Sequence, residues 1–479
     1  MLPLPALLLA LVPSGSAFIP KGIALVPNGL ALVSGSIAIA PNGGSTVVPY
    51  KELSFTLTLP PLDPVEQKDL GEHCAGEWTG KYKNSDVHFR LYIEKNENDD
   101  FVEPEDVVEG MRDVVTGPDA ERAGEDAGTR FTVSAIKSVS AAAGASPIVA
   151  FVTMKAWRKD DPNTEGLVVL ASGILAANAW LVRADVWPAP AAEDATAFVA
   201  AVQKCVAYEG KPRDPKWTDD EALAFWKKIA PTGTDKKYEK PLRSEHFIVM
   251  TNSPAPAPYV KKLETKYAAI RKLLPFEDVK GRRLLPILLF RTDDDFQTFY
   301  RRVYHMETKD EVTEGSVVLD KYLATSLDNN DDREDVIDLM RLCLYNRQHA
   351  HGGGSWFHYG MRAYAATKPK ERFEALHAVK NGKFTPLDTM LDEAAWDKQD
   401  KHYEKRGTTK EADFWLQSAL WMEFLHDGPF PKDAFARFVE TVGTIPDGER
   451  ARIREAIETI FGADVDTLQK KWVEYFSKH

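Results

Sequence analysis

Cysteine is scarce: the 479 residues hold three, Cys74, Cys205 and Cys343, and none belongs to a C-x-x-C pair. That excludes a disulfide scaffold, a zinc ribbon and a thioredoxin-like redox motif. No G-x-G-x-x-G opens a helix and no G-x-S-x-G occurs, so neither a dinucleotide fingerprint nor a nucleophile elbow is present. Basic charge is also short. A net charge of −12 and a pI near 5.5 argue against nucleic acid as the main partner, because phosphate binding needs a concentrated basic surface. The apolar run Met1–Val12 is too short and too proline-rich to span a bilayer.

What is present is the composition of a globular protein, 44% hydrophobic and 28% charged, in a chain long enough for two or three domains. Residues 1–50 stand apart, with Lys21 as their only charge. Met1–Val12 followed by Ser14-Gly-Ser-Ala17 has the length and the small-residue end of a signal sequence, which predicts export to a periplasmic or secreted location. The same stretch repeats every seven residues: LALVPSG, SAFIPKG, IALVPNG, LALVSGS, IAIAPNG. Proline and glycine in these units forbid a continuous helix, and five units are too few and too short to bury a core. A signal sequence followed by a heptapeptide-repeat leader is expected over 1–50.

Residues 51–210 read as an α+β domain with an antiparallel sheet. Ser54–Leu59 and Val87–Ile93 alternate, and Arg130–Ile136, Ile148–Met154, Gly166–Ala171 and Ala179–Trp187 continue the series of strands. Phe198, Val199, Val202 and Val206 predict a helix over Glu193–Tyr208. The acidic stretch Glu94–Glu109 lacks calcium-loop spacing and reads as a solvated hairpin tip. Residues 211–245 read as a linker with a short helix, Asp219–Ile229. From 246 to 479 the pattern starts with a small sheet, His246–Thr251 and Leu284–Arg291, with helices at Ala257–Leu274 and Asp293–Tyr304. It then becomes helical: Asp332–Arg347, Ser355–Ala366, Pro369–Val379, Glu411–Leu425, Lys432–Val442, Arg450–Phe461 and Val465–Ser477.

The order of elements after about residue 240 resembles the gluzincin-type metallopeptidase domains of exported bacterial proteins. The residues that carry the resemblance are His246-Phe-Ile-Val-Met-Thr-Asn252, Pro286-Ile-Leu-Leu-Phe290, and Phe461-Gly-Ala-Asp464 with Leu468, Trp472 and Tyr475. The resemblance implies a zinc helix bearing H-E-x-x-H and a following W-x-x-E-G segment that supplies a third ligand. Trp356, Gly360 and Tyr364 agree with that second segment, but Tyr359 stands at its ligand position and Arg362 replaces a small residue. The zinc helix reads Val336–Leu344. Its apolar pattern puts Leu339, Met340 and Cys343 at the ligand and base positions, and a one-residue shift puts Asp338, Leu339 and Leu342 there. The expectation is a degenerate peptidase domain with no catalytic residue, no metal ligand and no cofactor.

Three functions follow from this reading. The first is a non-catalytic exported protein, a pseudo-metallopeptidase whose cleft or N-terminal domain binds an unidentified protein or peptide. The second is a hydrolase with a relocated metal site at His349, His351 and His358, which surround Gly352–Gly354. The third is a structural scaffold. His351-Gly-Gly-Gly354 also matches a lipase oxyanion loop, without the elbow that such an enzyme requires. Cys343, on an apolar helix face, reads as a core residue.

Overall fold

A computed structural model describes residues 46–63, 65–67, 74–95, 103–117, 126–140, 148–174, 178–208, 217–230, 238, 240–276, 282–304, 316–319, 321–328, 332–396 and 414–478. The signal-like run, its cleavage site and the heptapeptide repeats lie outside them. The chain forms two compact units, divided between Lys216 and Trp217, with Arg282 and Arg283 belonging to the first.

The N-terminal unit contains β1 (Val47–Tyr50), β2 (Phe55–Thr58), β3 (Glu66–Gln67), β4 (Gly76–Tyr82), β5 (Ser85–Lys95), β6 (Arg130–Val133), β7 (Lys137–Ser140), β8 (Ile148–Trp157), β9 (Gly166–Ile174), β10 (Asn178–Trp187) and β11 (Val206–Tyr208). Its helices are α1 (Pro104–Thr116) and α2 (Ala192–Gln203). An antiparallel sheet runs β3-β4-β5-β10-β9-β8-β6, with β7 also on β8, and a smaller one runs β1-β2-β11. Both faces of the large sheet are covered. Val169, Ala171, Val182 and Ala184 meet the small sheet and α2, while Val168, Leu170 and Leu181 meet α1. Period-two side chains therefore enter two cores, which is why β9 is apolar along its length.

Three expectations change here. Where the acidic segment is described, from Glu103 (residues 96–102 lie outside the described residues), it is no hairpin tip, because Pro104–Thr116 forms a helix. Proline sits in its first turn, Asp106 accepts from the Glu103 backbone N–H at 2.8 Å, and Val107, Val108 and Val115 are buried. The helix expected to reach Tyr208 stops at Gln203, since Val206 and Tyr208 alternate inward as a strand on β2. The sheet also begins at Val47, inside the stretch expected to be leader.

The C-terminal unit starts with α3 (Asp219–Ile229), whose buried Trp226 lies 5.4 Å from the Phe290 ring, so this helix is part of the fold. Its sheet is β12 (Leu242–Arg243), β13 (Phe247–Thr251), β14 (Leu285–Phe290), β16 (Tyr322–Ser326) and β15 (Ser316–Leu319), in that order. The central three strands are parallel and both edges antiparallel. The hairpin β15–β16 had no counterpart among the expected elements. The helices are α4 (Ala257–Ile270), α5 (Asp293–Val303), α6 (Asp332–Asn346), α7 (Gly354–Ala366), α8 (Phe373–Lys380), α9 (Leu387–Met390), α10 (Phe414–Asp427), α11 (Ala434–Val442), α12 (Arg450–Phe461) and α13 (Val465–Lys478). One apolar core joins the sheet to them all the way to Trp472 and Phe476. The class is α+β: an antiparallel-sheet N-terminal part and a mainly helical C-terminal part that opens on a small sheet. No helix among the described residues is long and apolar enough to cross a membrane.

Candidate functional site

Helix α6 begins with a polar clamp. Asp335 accepts from Tyr259 Oη at 2.9 Å and from Lys266 Nζ at 2.7 Å, and Lys262 pairs with both Asp335 and Asp332. These bonds fix the first turn of α6 against α4. From Asp338 onward the helix is buried on nearly every side, with only Arg341 and Tyr345 partly exposed. Leu339, Met340, Leu342 and Cys343 are each 0% exposed within the core. Asp338 accepts from the Ser316 hydroxyl. In either register, then, the positions of the expected zinc ligands are core positions, apart from one hydrogen-bonded carboxylate.

Helix α7 explains the residues that match the family pattern by packing. Trp356, Gly360 and Tyr364 recur every four residues and share one face. Trp356 meets Phe438 edge-on at 5.8 Å. A Cβ on Gly360 would lie 3.0 Å from Met422 Cε and 3.1 Å from Ser418 Cβ, so glycine sets the approach of α7 to α10. Tyr364 Oη donates to Asp427 at 2.9 Å. Tyr359, at the ligand position, is 37% exposed and stacks on Trp396 at 5.3 Å and 11°.

The glycine loop before α7 has a structural purpose. Gly352 N–H donates to the Gly443 carbonyl at 2.9 Å, and Gly353 N–H donates to the Ile445 carbonyl at 2.7 Å. Gly353 and Gly354 take positive φ, 97° and 77°. The amides that open α7 are already occupied: Gly354 N–H donates to Asp447 at 2.8 Å and Ser355 N–H to Glu393 at 2.7 Å. Two carboxylates at a helix N-terminus complement its dipole and occupy the place of an oxyanion.

The three histidines are divided. His349 is buried with φ of 50°, and a ring nitrogen of it lies within 4.8 Å of one on His351. His351 is exposed and stacks on Tyr345 at 4.8 Å. His358, inside α7, meets the Tyr345 ring edge-on at 5.6 Å. Among the described residues of this unit, no three His, Cys, Asp or Glu ligand atoms gather within 4.8 Å of one another, so His358 does not complete the pair.

His358 belongs instead to a cationic cluster that sequence reasoning passed over. Arg341 and Tyr345 are four apart on α6, with the guanidinium 5.3 Å from the ring. His358 and Arg362 are four apart on α7, and Arg362 lies 5.5 Å from the Tyr359 ring. Burial pushes the His358 imidazole down to about 3, reinforced by His351, Arg362 and Arg341. Burial and Arg341 also push Arg362 down, with Asp338 opposing. The His351 backbone is close to His358, but neither ring nitrogen reaches hydrogen-bond geometry with any group, and Arg362 Nε is likewise enclosed without a partner. The readable signal was the pair of i, i+4 cationic–aromatic spacings on consecutive helices.

The N-terminal unit offers a second feature, a ladder of charges on the α1 side of its sheet. Glu77 meets His88 Nε2 at 2.5 Å, Arg90 reaches Asp185 at 3.4 Å, and Arg183 bonds Asp185 at 2.9 Å and Asp126 at 2.7 Å. Beside it is an open cleft of about 690 Å³, lined by Thr79, His88, Arg158, Asp185 and Trp187 among others. These charges satisfy one another. All three cysteines are free thiols, and burial pushes those of Cys74 and Cys205 up, away from the nucleophilic thiolate.

No protein-family model matches this chain, and no curated protein matches it. Solved structures resemble the chain only weakly, two of them as follows. The solution structure of cyanobacterial PsbP (CyanoP) from Synechocystis sp. PCC 6803 is 11% identical, covering 36% of this chain and 98% of its own, with a TM-score of 0.26. A crystal structure from Bacteroides thetaiotaomicron VPI-5482 is 8% identical, covering 65% of this chain and 74% of its own, with a TM-score of 0.19. At such scores neither bears on the fold or the function.

Proposed function

We propose that this chain is an exported, non-catalytic protein, a gluzincin-like pseudo-metallopeptidase whose C-terminal unit serves as a binding element for a protein or peptide. The observation that carries this is the burial of α6: where a peptidase of that family needs two imidazoles and a carboxylate, Leu339, Met340 and Cys343 are closed into the core. The matching positions on α7 are used for packing against α10 and Trp396. The test is elemental analysis of the purified protein with a peptide-cleavage assay. Less than a tenth of a zinc per chain (about that order) and no cleavage are expected, since the site offers no tetrahedral ligand set.

The neighbouring ring nitrogens of His349 and His351 favour a second reading, a hydrolase with a relocated metal. One zinc per chain, lost on His349→Ala or His351→Ala, would replace the first reading with it. A scaffold role predicts that binding, wherever found, survives disruption of the C-terminal unit. Export is tested by the N-terminal residue of the mature protein in its source cell: cleavage near Ala17 supports it, and an intact chain in the cytoplasm refutes it.

A further inference from the structure

The cluster between α6 and α7 presents more donors than the described residues use. Arg362 makes no hydrogen bond or ion pair among the described residues, and its Nε is enclosed. Both ring nitrogens of His358 are enclosed without a partner. Buried donors left unmade are costly, and an uncompensated guanidinium more so, so a ligand that completes them would gain from doing so. The residues as a whole are not sealed: Arg341, Tyr345, His358 and Arg362 each keep partial exposure, and Tyr359 is open. The cluster as a whole is therefore reachable from solvent, although Arg362 Nε and the His358 ring nitrogens are enclosed.

Charge decides the class of ligand. Among the described residues, two guanidinium groups stand against one carboxylate, Asp338, and Asp338 already takes the Ser316 hydroxyl. His358 is neutral at physiological pH. One positive charge is left over, which matches a singly charged anion and leaves a dianion half unpaired. The planar fork of an arginine suits a carboxylate with two parallel bonds. The Tyr345 and Tyr359 rings, the latter backed by Trp396, border the donors and offer contact to an apolar body.

We propose that Arg362 and His358, flanked by Arg341, Tyr345 and Tyr359, form a binding site for a monocarboxylate of the kind a peptide C-terminus presents. This deepens the reading of the C-terminal unit as a peptide-binding element and rests on it only for the peptide nature of the ligand. Arg362 holds the carboxylate, His358 donates one ring N–H to it, and the rings pack against the residue that bears it.

The test uses the full chain with N-acetyl-L-alanine, its uncharged amide N-acetyl-L-alaninamide, and inorganic phosphate as probes, with binding read by ligand-observed nuclear magnetic resonance. Saturable binding of the acid and none of the amide are expected. Arg362→Met should weaken the acid at least about tenfold, and Arg362→Lys, which keeps the charge and loses the fork, by less. Without ligand, Arg362→Met should leave the melting temperature unchanged or raised, because an unpaired charge is removed; a structural arginine would lower it. If that variant does not fold, His358→Asn must still weaken acid binding. Equal binding of acid and amide, unchanged binding in Arg362→Met, no saturable acid binding, or tighter phosphate than carboxylate overturns the proposal. Zinc-dependent peptide cleavage would instead overturn the non-catalytic reading and leave acid binding untouched, so the two failures are distinct.

Discussion

Placing the peptidase pattern's residues on α6 is the sharpest perturbation the fold allows. Leu339→His, Met340→Glu and Cys343→His would restore the ligand types of the peptidase pattern, and the backbone of α6 puts 339 and 343 one turn apart on one face. All three side chains are fully buried, so each change places a polar group among apolar neighbours with no partner built for it. A buried polar group without a hydrogen bond costs about 1–3 kcal/mol in proteins, and lost packing adds to that, so each single change is expected to cost about 2–4 kcal/mol. The three sit within two turns and will not add strictly, but a loss of at least about 5 kcal/mol is expected against a typical stability of about 5–15 kcal/mol. Urea unfolding of each single variant, followed by the helical circular-dichroism signal, measures this. The shifted set Asp338→His, Leu339→Glu, Leu342→His is the control, and only its position 338 is already polar. If all three singles lie within about 1 kcal/mol of the parent, the face is not core, and the burial argument against a zinc site fails.

Three further outcomes are expected. Because the His358 pKa is depressed in the folded state, its contribution to stability is complete above about 6.5, the unfolded value, and is lost as pH falls toward about 3; His358→Phe should flatten the pH dependence of the melting temperature across that window, with His351, Arg341 and Arg362 the charged groups around it. Gly352→Ala would bring a Cβ to 2.0 Å from the Ile445 carbonyl oxygen and break the paired backbone bonds there, at an expected cost of about 2–4 kcal/mol; a loss under about 0.5 kcal/mol in urea unfolding would refute that close approach. Asp335→Ala removes the buried acceptor shared by Tyr259, Lys262 and Lys266 and should cost about 2–4 kcal/mol, whereas Asp332→Asn, at an exposed carboxylate held down to about 2 by the same lysines, should change little above pH 4 in moderate salt; equal losses in the two would refute the clamp.

The helices after Asp332 and most strands were legible because each carries a clean period, and α5 announced itself through Thr292, which accepts from the Asp295 N–H at 3.2 Å. Helix α1 was hidden by its own acids. Glu105, Asp106 and Glu109 read as a solvated loop, although the valines between them recur at helical spacing. That the sequence of α6 lacks the H-E-x-x-H residue types was also legible, since it needs only residue identity. The cationic cluster was not. Arg341 and Arg362 are separated by the end of α6, a loop and the first half of α7, and whether a guanidinium is paired depends on every side chain around it, which periodicity does not report.

Helix α7 opens on groups that come late in the chain. Its first amides bond to carboxylates 38 and 93 residues further along, and the glycines before it bond to the carbonyls of Gly443 and Ile445. Closing loops of that length is an entropic debt incurred before the contacts reward it. During synthesis, α6 and α7 therefore leave the ribosome before the segments that anchor the start of α7, and the placement of His358 and Arg362 against Arg341 and Tyr345 is fixed only once the segment around Asp447 has followed. A chain that ends before Gly443 has the residues of the proposed site but lacks the contacts that seat the start of α7.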